Sequence, residues 1–122
     1  MPSAVEIAVD NYIRAASERD PALRAKLLEA CFAVDGRLVS RNREIRGRAA
    51  VAEMFTRSLA DPQLLRIRMT SAIDARGTTF RFSSAVDRRD GTSLEFFDAG
   101  EIDAAGRIAL LLTFAGPLGA AE

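Results

Sequence analysis

From Thr78 to Phe114 the chain alternates apolar and polar residues, and this stretch restricts its fold more than any other. A period of two is the mark of a half-buried strand, because successive side chains point to opposite faces of a sheet. Phe80, Phe82 and Val86 share one parity. After the turn residues Arg89-Asp90-Gly91-Thr92, so do Leu94, Phe96 and Ile102; after Ala104-Ala105-Gly106, so do Ile108, Leu110, Leu112 and Phe114. The spacing predicts a three-stranded meander with Gly and Asp at its turns. Asp98 breaks the pattern. It lies between Phe96 and Ile102 and is the one charged residue on the parity that should be buried.

The rest of the chain predicts helices first. Val5, Ala8, Val9, Tyr12, Ile13 and Ala16 recur at three-and-four spacing, which predicts a helix from Ser3 to about Glu18. Asp20-Pro21 starts a second helix, with Leu23, Leu27, Ala30 and Cys31 inward and an end near Ala33. A short strand and a loop should follow over Arg37 to Ile45. Gly47 precedes a third helix, Arg48 to about Ala60, with Val51, Met54, Phe55 and Leu59 inward. Leu65, Ile67, Met69 and Ile73 then alternate as a strand leading into the meander. Helices followed by a run of strands define an α+β class, and 122 residues form one domain, residues 1–122.

Composition removes several kinds of function. The chain has 17 basic and 17 acidic residues, so no global field draws it to nucleic acid or an anionic membrane. The four arginines between Arg41 and Arg48 read as a solvated loop or, as the alternative, a gate for an anionic ligand or a weak phosphate contact; with no aromatic residue among them they are unlike a single-strand binding platform. No apolar run approaches the ~20 residues of a membrane span, and Glu6 and Asp10 make the N-terminus unlike a signal peptide. A single cysteine, Cys31, suits a reducing compartment, and the cytoplasm is the expectation. There is no histidine, which removes the commonest general base and zinc ligand. No metal and no cofactor is expected. Any catalysis would rest on carboxylates, tyrosine, serine, arginine or backbone dipoles.

Several short pieces, in order and in spacing, resemble the nuclear transport factor 2-like superfamily in its SnoaL-like and ketosteroid-isomerase-like branch. They are Arg19-Asp20-Pro21, Asp35-Gly36-Arg37-Leu38-Val39, Ile45-Arg46-Gly47-Arg48, and Ile102-Asp103 through Gly106-Arg107-Ile108 to Phe114-Ala115-Gly116-Pro117. The resemblance covers nearly the whole chain. It implies a cone: a curved antiparallel sheet with three N-terminal helices closing its concave side around an apolar pocket. Tyr12 stands where ketosteroid isomerases keep an oxyanion-hole tyrosine, and Asp98 where they keep a protonated aspartic acid. The family's catalytic base, an aspartate followed by proline, is replaced here by Ser40 followed by Arg41. That departure implies that ketosteroid isomerisation is absent or very slow.

Inward parity within such a cone would line the pocket with Ser40, Met54, Phe55, Met69, Ser71, Phe82, Ser84, Phe96, Gly100 and Phe114, around Tyr12 and Asp98. Three functions are open at this point. One is a pocket protein whose apolar ligand has a polar oxygen anchored by Asp98 and Tyr12. Another is an isomerase, cyclase or dehydratase in which the same pair polarises a carbonyl or epoxide oxygen. The last is a non-catalytic interaction module. The opposite parity carries Phe97, Ala109 and Leu111 among charged residues, which predicts a homodimer through the convex face.

Overall fold

A computed structural model describes residues 1–121. The chain runs α1 (Ala4–Ser17), α2 (Pro21–Cys31), β1 (Phe32–Ser40), β2 (Arg43–Arg46), α3 (Arg48–Leu59), β3 (Leu64–Met69), β4 (Asp74–Arg76), β5 (Thr79–Arg88), β6 (Ser93–Ile102) and β7 (Ile108–Ala115). This is α+β: three helices against one curved, open seven-stranded sheet in the order β2-β1-β7-β6-β5-β3, with β4 also on β5. All the pairings are antiparallel except β1 with β7, which is parallel.

Local chemistry fixes the helices. Ser3 caps α1 in a reciprocal box: its hydroxyl accepts from the Glu6 N–H at 3.1 Å, and the Glu6 carboxylate accepts from the Ser3 N–H at 3.2 Å. Such a cap is worth about 1 kcal/mol. Asp20 caps α2, with Pro21 at its first position. The apolar stripe of α1 packs with Phe32, Leu38, Phe55, Phe80, Phe82, Ile108 and Leu111 in one core. Full burial of a residue such as Phe32 contributes about 1.5–3 kcal/mol.

Four sequence expectations change. The second helix ends at Cys31, and an extended chain begins at once, so the predicted short strand and loop are a hairpin, β1 and β2. The buried stripe of α2 is Arg24, Leu28 and Cys31, while Leu23 and Ala30 are exposed. Arg24 is buried because it is satisfied: it donates to the Glu18 carbonyl at 2.7 Å and to the Thr56 hydroxyl at 2.9 Å, tying α2 to α3. In β3 the pairing shifts between Leu64 and Arg66, which buries Leu64 and leaves Leu65 exposed. The strand then breaks after Met69 and resumes as β4, so the predicted single strand is two.

The fourth change matters most. Ile102 pairs with Ile108 and Glu101 with Leu110, so Ala109 is one residue too many on β7. A bulge of this kind reverses which face every later residue presents. Leu111 is therefore core, at 0% exposed, and Thr113 faces inward with it. Leu110, Leu112 and Phe114 take the opposite parity, and Phe114 is 54% exposed. The predicted inward position of Phe114 and the predicted outward position of Leu111 are both reversed by this one residue.

Candidate functional site

The concave face of the sheet does not fill completely. A cavity of about 280 Å³ lies between the sheet and helices α1 and α3, near the lower end of the range for small-molecule sites. Tyr12, Ile13 and Ala16 of α1 and Met54, Phe55 and Ser58 of α3 form one side. The sheet supplies Leu38, Ser40, Arg43, Ile67, Ser84, Val86, Phe96, Asp98 and Thr113. Most of this surface is apolar, with a few convergent polar groups.

Of the residues expected to line a pocket, Tyr12, Ser40, Met54, Phe55, Ser84, Phe96 and Asp98 are brought together. The others lie elsewhere. Phe82 is sealed in the core, where its ring stacks on Phe80 at 6.1 Å. Gly100 is covered by Phe80, whose ring would stand 2.7 Å from an added Cβ. Met69 packs against the core beside the cavity rather than on its wall. Ser71 falls in the break between β3 and β4, where its hydroxyl donates to the Ala72 carbonyl and accepts from the Ser83 N–H at 2.7 Å. Phe114 faces away, for the reason given above. Ser58 and Thr113 are polar wall residues outside the expected set, and Arg43 comes from the arginine run expected to be a loop or an anion gate rather than a wall. Thr113 was hidden by the bulge; Arg43 is on the inward parity of β2, which the sequence read as loop.

Asp98 sits in the middle of β6, opposite Phe82 on β5 and Thr113 on β7. It is 5% exposed, and its Oδ1 is buried with no hydrogen-bond partner among the described residues. Burial raises its pKa to about 6, and the Thr113 hydroxyl pulls it back only in part. The neutral acid, with a proton to donate, therefore persists up to about pH 6, roughly two pH units beyond an ordinary aspartate. Tyr12 crosses the cavity from α1, its ring packed 5.5 Å from Phe55 and 6.3 Å from Phe32. Burial, and then the nearby Asp98 carboxyl, push the Tyr12 phenol well above its usual range, so it too stays protonated. Cys31 is buried behind this layer; burial pushes its thiol up to about 12, which keeps it unreactive. Ser40 is tied locally, its hydroxyl donating to the Arg43 carbonyl at 3.3 Å.

No protein-family model and no curated relative matches the sequence. Solved structures do match. A SnoaL-like family protein of Agrobacterium tumefaciens, provisionally described as an isomerase, superposes with a TM-score of 0.82 at 22% identity, over 93% of this chain and 98% of that one. A Sinorhizobium meliloti protein provisionally described as a polyketide cyclase gives 0.69 at 19% identity, over 87% and 92%. A nuclear transport factor 2-like protein of unknown function from an Exiguobacterium species gives 0.68 at 18% identity, over 91% and 99%. At these identities the likeness is one of fold, and it is the nuclear transport factor 2-like, SnoaL-like fold that the sequence pieces resemble. Among the described residues no helix is long and apolar enough to cross a membrane.

Proposed function

We propose that this protein binds a small, mostly apolar molecule through one oxygen acceptor, which takes a hydrogen bond from protonated Asp98 with Tyr12 as second donor. The observation that carries this reading is the orphaned Asp98 Oδ1, buried on the wall of an apolar cavity. An unpaired buried polar atom costs about 1–3 kcal/mol, and a ligand oxygen placed there would recover part of it. The test is a matched pair of probes, butyrophenone and butylbenzene, titrated at about pH 5, below the Asp98 pKa of about 6, while the NMR signals of Tyr12 and Phe96 are followed. The ketone should bind about two- to tenfold more tightly, as one neutral hydrogen bond allows. In Asp98→Ala the ketone's advantage should shrink, and in the variant that also carries Tyr12→Phe the two should bind alike. Equal binding to the unaltered protein, or none, would end this reading.

Donors of this kind would also serve an isomerase or cyclase, but proton transfer at carbon needs a base. Among the described residues Asp98 is the one carboxylate on the cavity wall, which also carries Ser40 and Arg43. A positioned base is typically worth about 10²–10⁴-fold, so isomerisation of an unconjugated ketosteroid should stay near background. Robust turnover would show that a group outside the wall serves as base.

The reading includes a second copy of the chain as partner. On the convex face Phe97 and Phe114 pair across β6 and β7 at 41% and 54% exposure, beside Leu112 and Ala99. This patch, rather than Ala109 and Leu111, is the surface a homodimer would cover. Light scattering at low micromolar concentration should report a dimer that Phe114→Glu dissociates.

A further inference from the structure

Arg43 is the one cation on the cavity wall among the described residues, and it has no acid to neutralise it. Strand parity explains why. In β2, Glu44 and Arg46 point to the convex side, where Glu44 pairs with Arg37 and with Arg46. Ile45 and Arg43 point inward; Ile45 is buried in the core, and Arg43 is left at the mouth of the cavity. Strand β2 thus puts its only acid on one face and a free guanidinium on the other.

The pairing register places this arginine relative to Asp98. Arg43 pairs with Ser40, and Val39 pairs with Leu112, which sets Ser40 level with Thr113. Thr113 in turn pairs with Asp98. Arg43, Ser40, Thr113 and Asp98 therefore form one rung across β2, β1, β7 and β6, and all four line the cavity. Three strand spacings put the end Cα atoms about 14 Å apart on a flat sheet, and less on a curved one. The two side chains shorten that span from both ends. What remains is a cation at one end and an acid at the other, with the Ser40 and Thr113 hydroxyls on the rung between them and apolar side chains on either side of it.

We propose that the ligand of this cavity is an apolar keto acid or its like: a single carboxylate held by Arg43 at the mouth, and an acceptor oxygen at Asp98 several bonds away. This rests on the cavity being the small-molecule site described above. A planar guanidinium fork matches a carboxylate in shape, and a lone arginine balances one negative charge rather than the nearly two of a phosphate monoester.

Calorimetric titration of benzoylpropanoate, benzoylbutanoate and benzoylpentanoate, each beside its neutral carboxamide, tests this. The unaltered protein should bind at least one acid about five- to tenfold more tightly than its carboxamide at low salt. Arg43→Gln should abolish that preference, weakening the acid more than its carboxamide. Arg41→Gln, on the same hairpin but off the wall, should keep it. Carboxamides that bind while the acids gain nothing, or a preference that survives Arg43→Gln, would overturn the keto-acid assignment and leave the cavity reading standing. Failure of every probe, carboxamides included, would overturn both.

Discussion

Two aspartates, on neighbouring strands of the same sheet, are almost equally hidden: Asp87 on β5 is 7% exposed and Asp98 on β6 is 5%. They face opposite sides and have opposite chemistry. On the convex side, Asp87 accepts from Arg66 at 2.6 Å, from Arg68 at 2.7 and 3.1 Å and from Ser93 at 2.6 Å. Arg68 first, then Arg66 and Ser93, hold its carboxyl well below the usual carboxylate range. On the concave side, Asp98 has one hydroxyl neighbour and an empty oxygen, and its pKa rises to about 6. Low exposure is common to both, but its source differs: Asp87 is covered by the exposed arginines that pair with it, whereas Asp98 is enclosed by the fold, and burial without such partners is what raises its pKa. A buried carboxylate with its partners supplied is part of the scaffold; one left without them in a cavity is available to something else.

The largest expected effect comes from Asp98→Asn. In the unfolded chain this carboxyl titrates near 3.9, and in the folded chain near 6. The folded state therefore binds the extra proton, and stability falls as pH rises between those values, then stays level above the folded pKa. Two units correspond to about 3 kcal/mol. Urea unfolding of Asp98→Asn should show a gain of up to about that size at pH 7, less the cost of burying the amide, and none below pH ~4. A marked loss at pH 7 would make Asp98 a scaffold residue like Asp87.

Asp87→Asn should act with the opposite sign and a smaller size. A depressed folded pKa gives stability that is fully present above the unfolded value and lost as pH falls through the folded one. Removing the charge should lower the thermal midpoint by several degrees at pH 7, with the deficit closing in strong acid. Calorimetry in parallel with Asp98→Asn would break the comparison if both variants moved the same way.

Thr113→Val has the smallest expected effect. Its hydroxyl is the one neighbour that favours the Asp98 carboxylate, so its loss should move the Asp98 titration upward from about 6. Carboxyl shifts followed by NMR measure this. A downward movement would mean that the hydroxyl was stabilising the acid form.

Much of this contrast is already legible in the sequence, and for a physical reason. Asp98 interrupts an apolar parity, and a charge there must be either paired or functional. The helical stripe around Tyr12 reads as clearly, because its spacing is local. What sequence cannot supply is counting across strands. Thr113 and Phe114 exchange roles through pairing between β6 and β7, and nothing within β7 announces it: Ile108 to Leu112 is apolar on both faces. Arg43 was lost similarly, because four residues rich in arginine read as loop until β1 is there to pair with them. Arg24 reads as a solvent-facing residue, and only the Glu18 carbonyl and Thr56, brought by the fold, make its burial affordable.

The extra residue in β7 also bears on how such a chain can change. Had β7 run regularly from Ile108, Leu110, Leu112 and Phe114 would enter the cone, and Thr113 would leave it. The same eight side chains would then plug the space that is now open, with no substitution anywhere. Hollowness here is a matter of arithmetic rather than of composition: one step of pairing in one strand separates a vessel from a solid. The open space is therefore set by the register of one strand as much as by the residues on its wall.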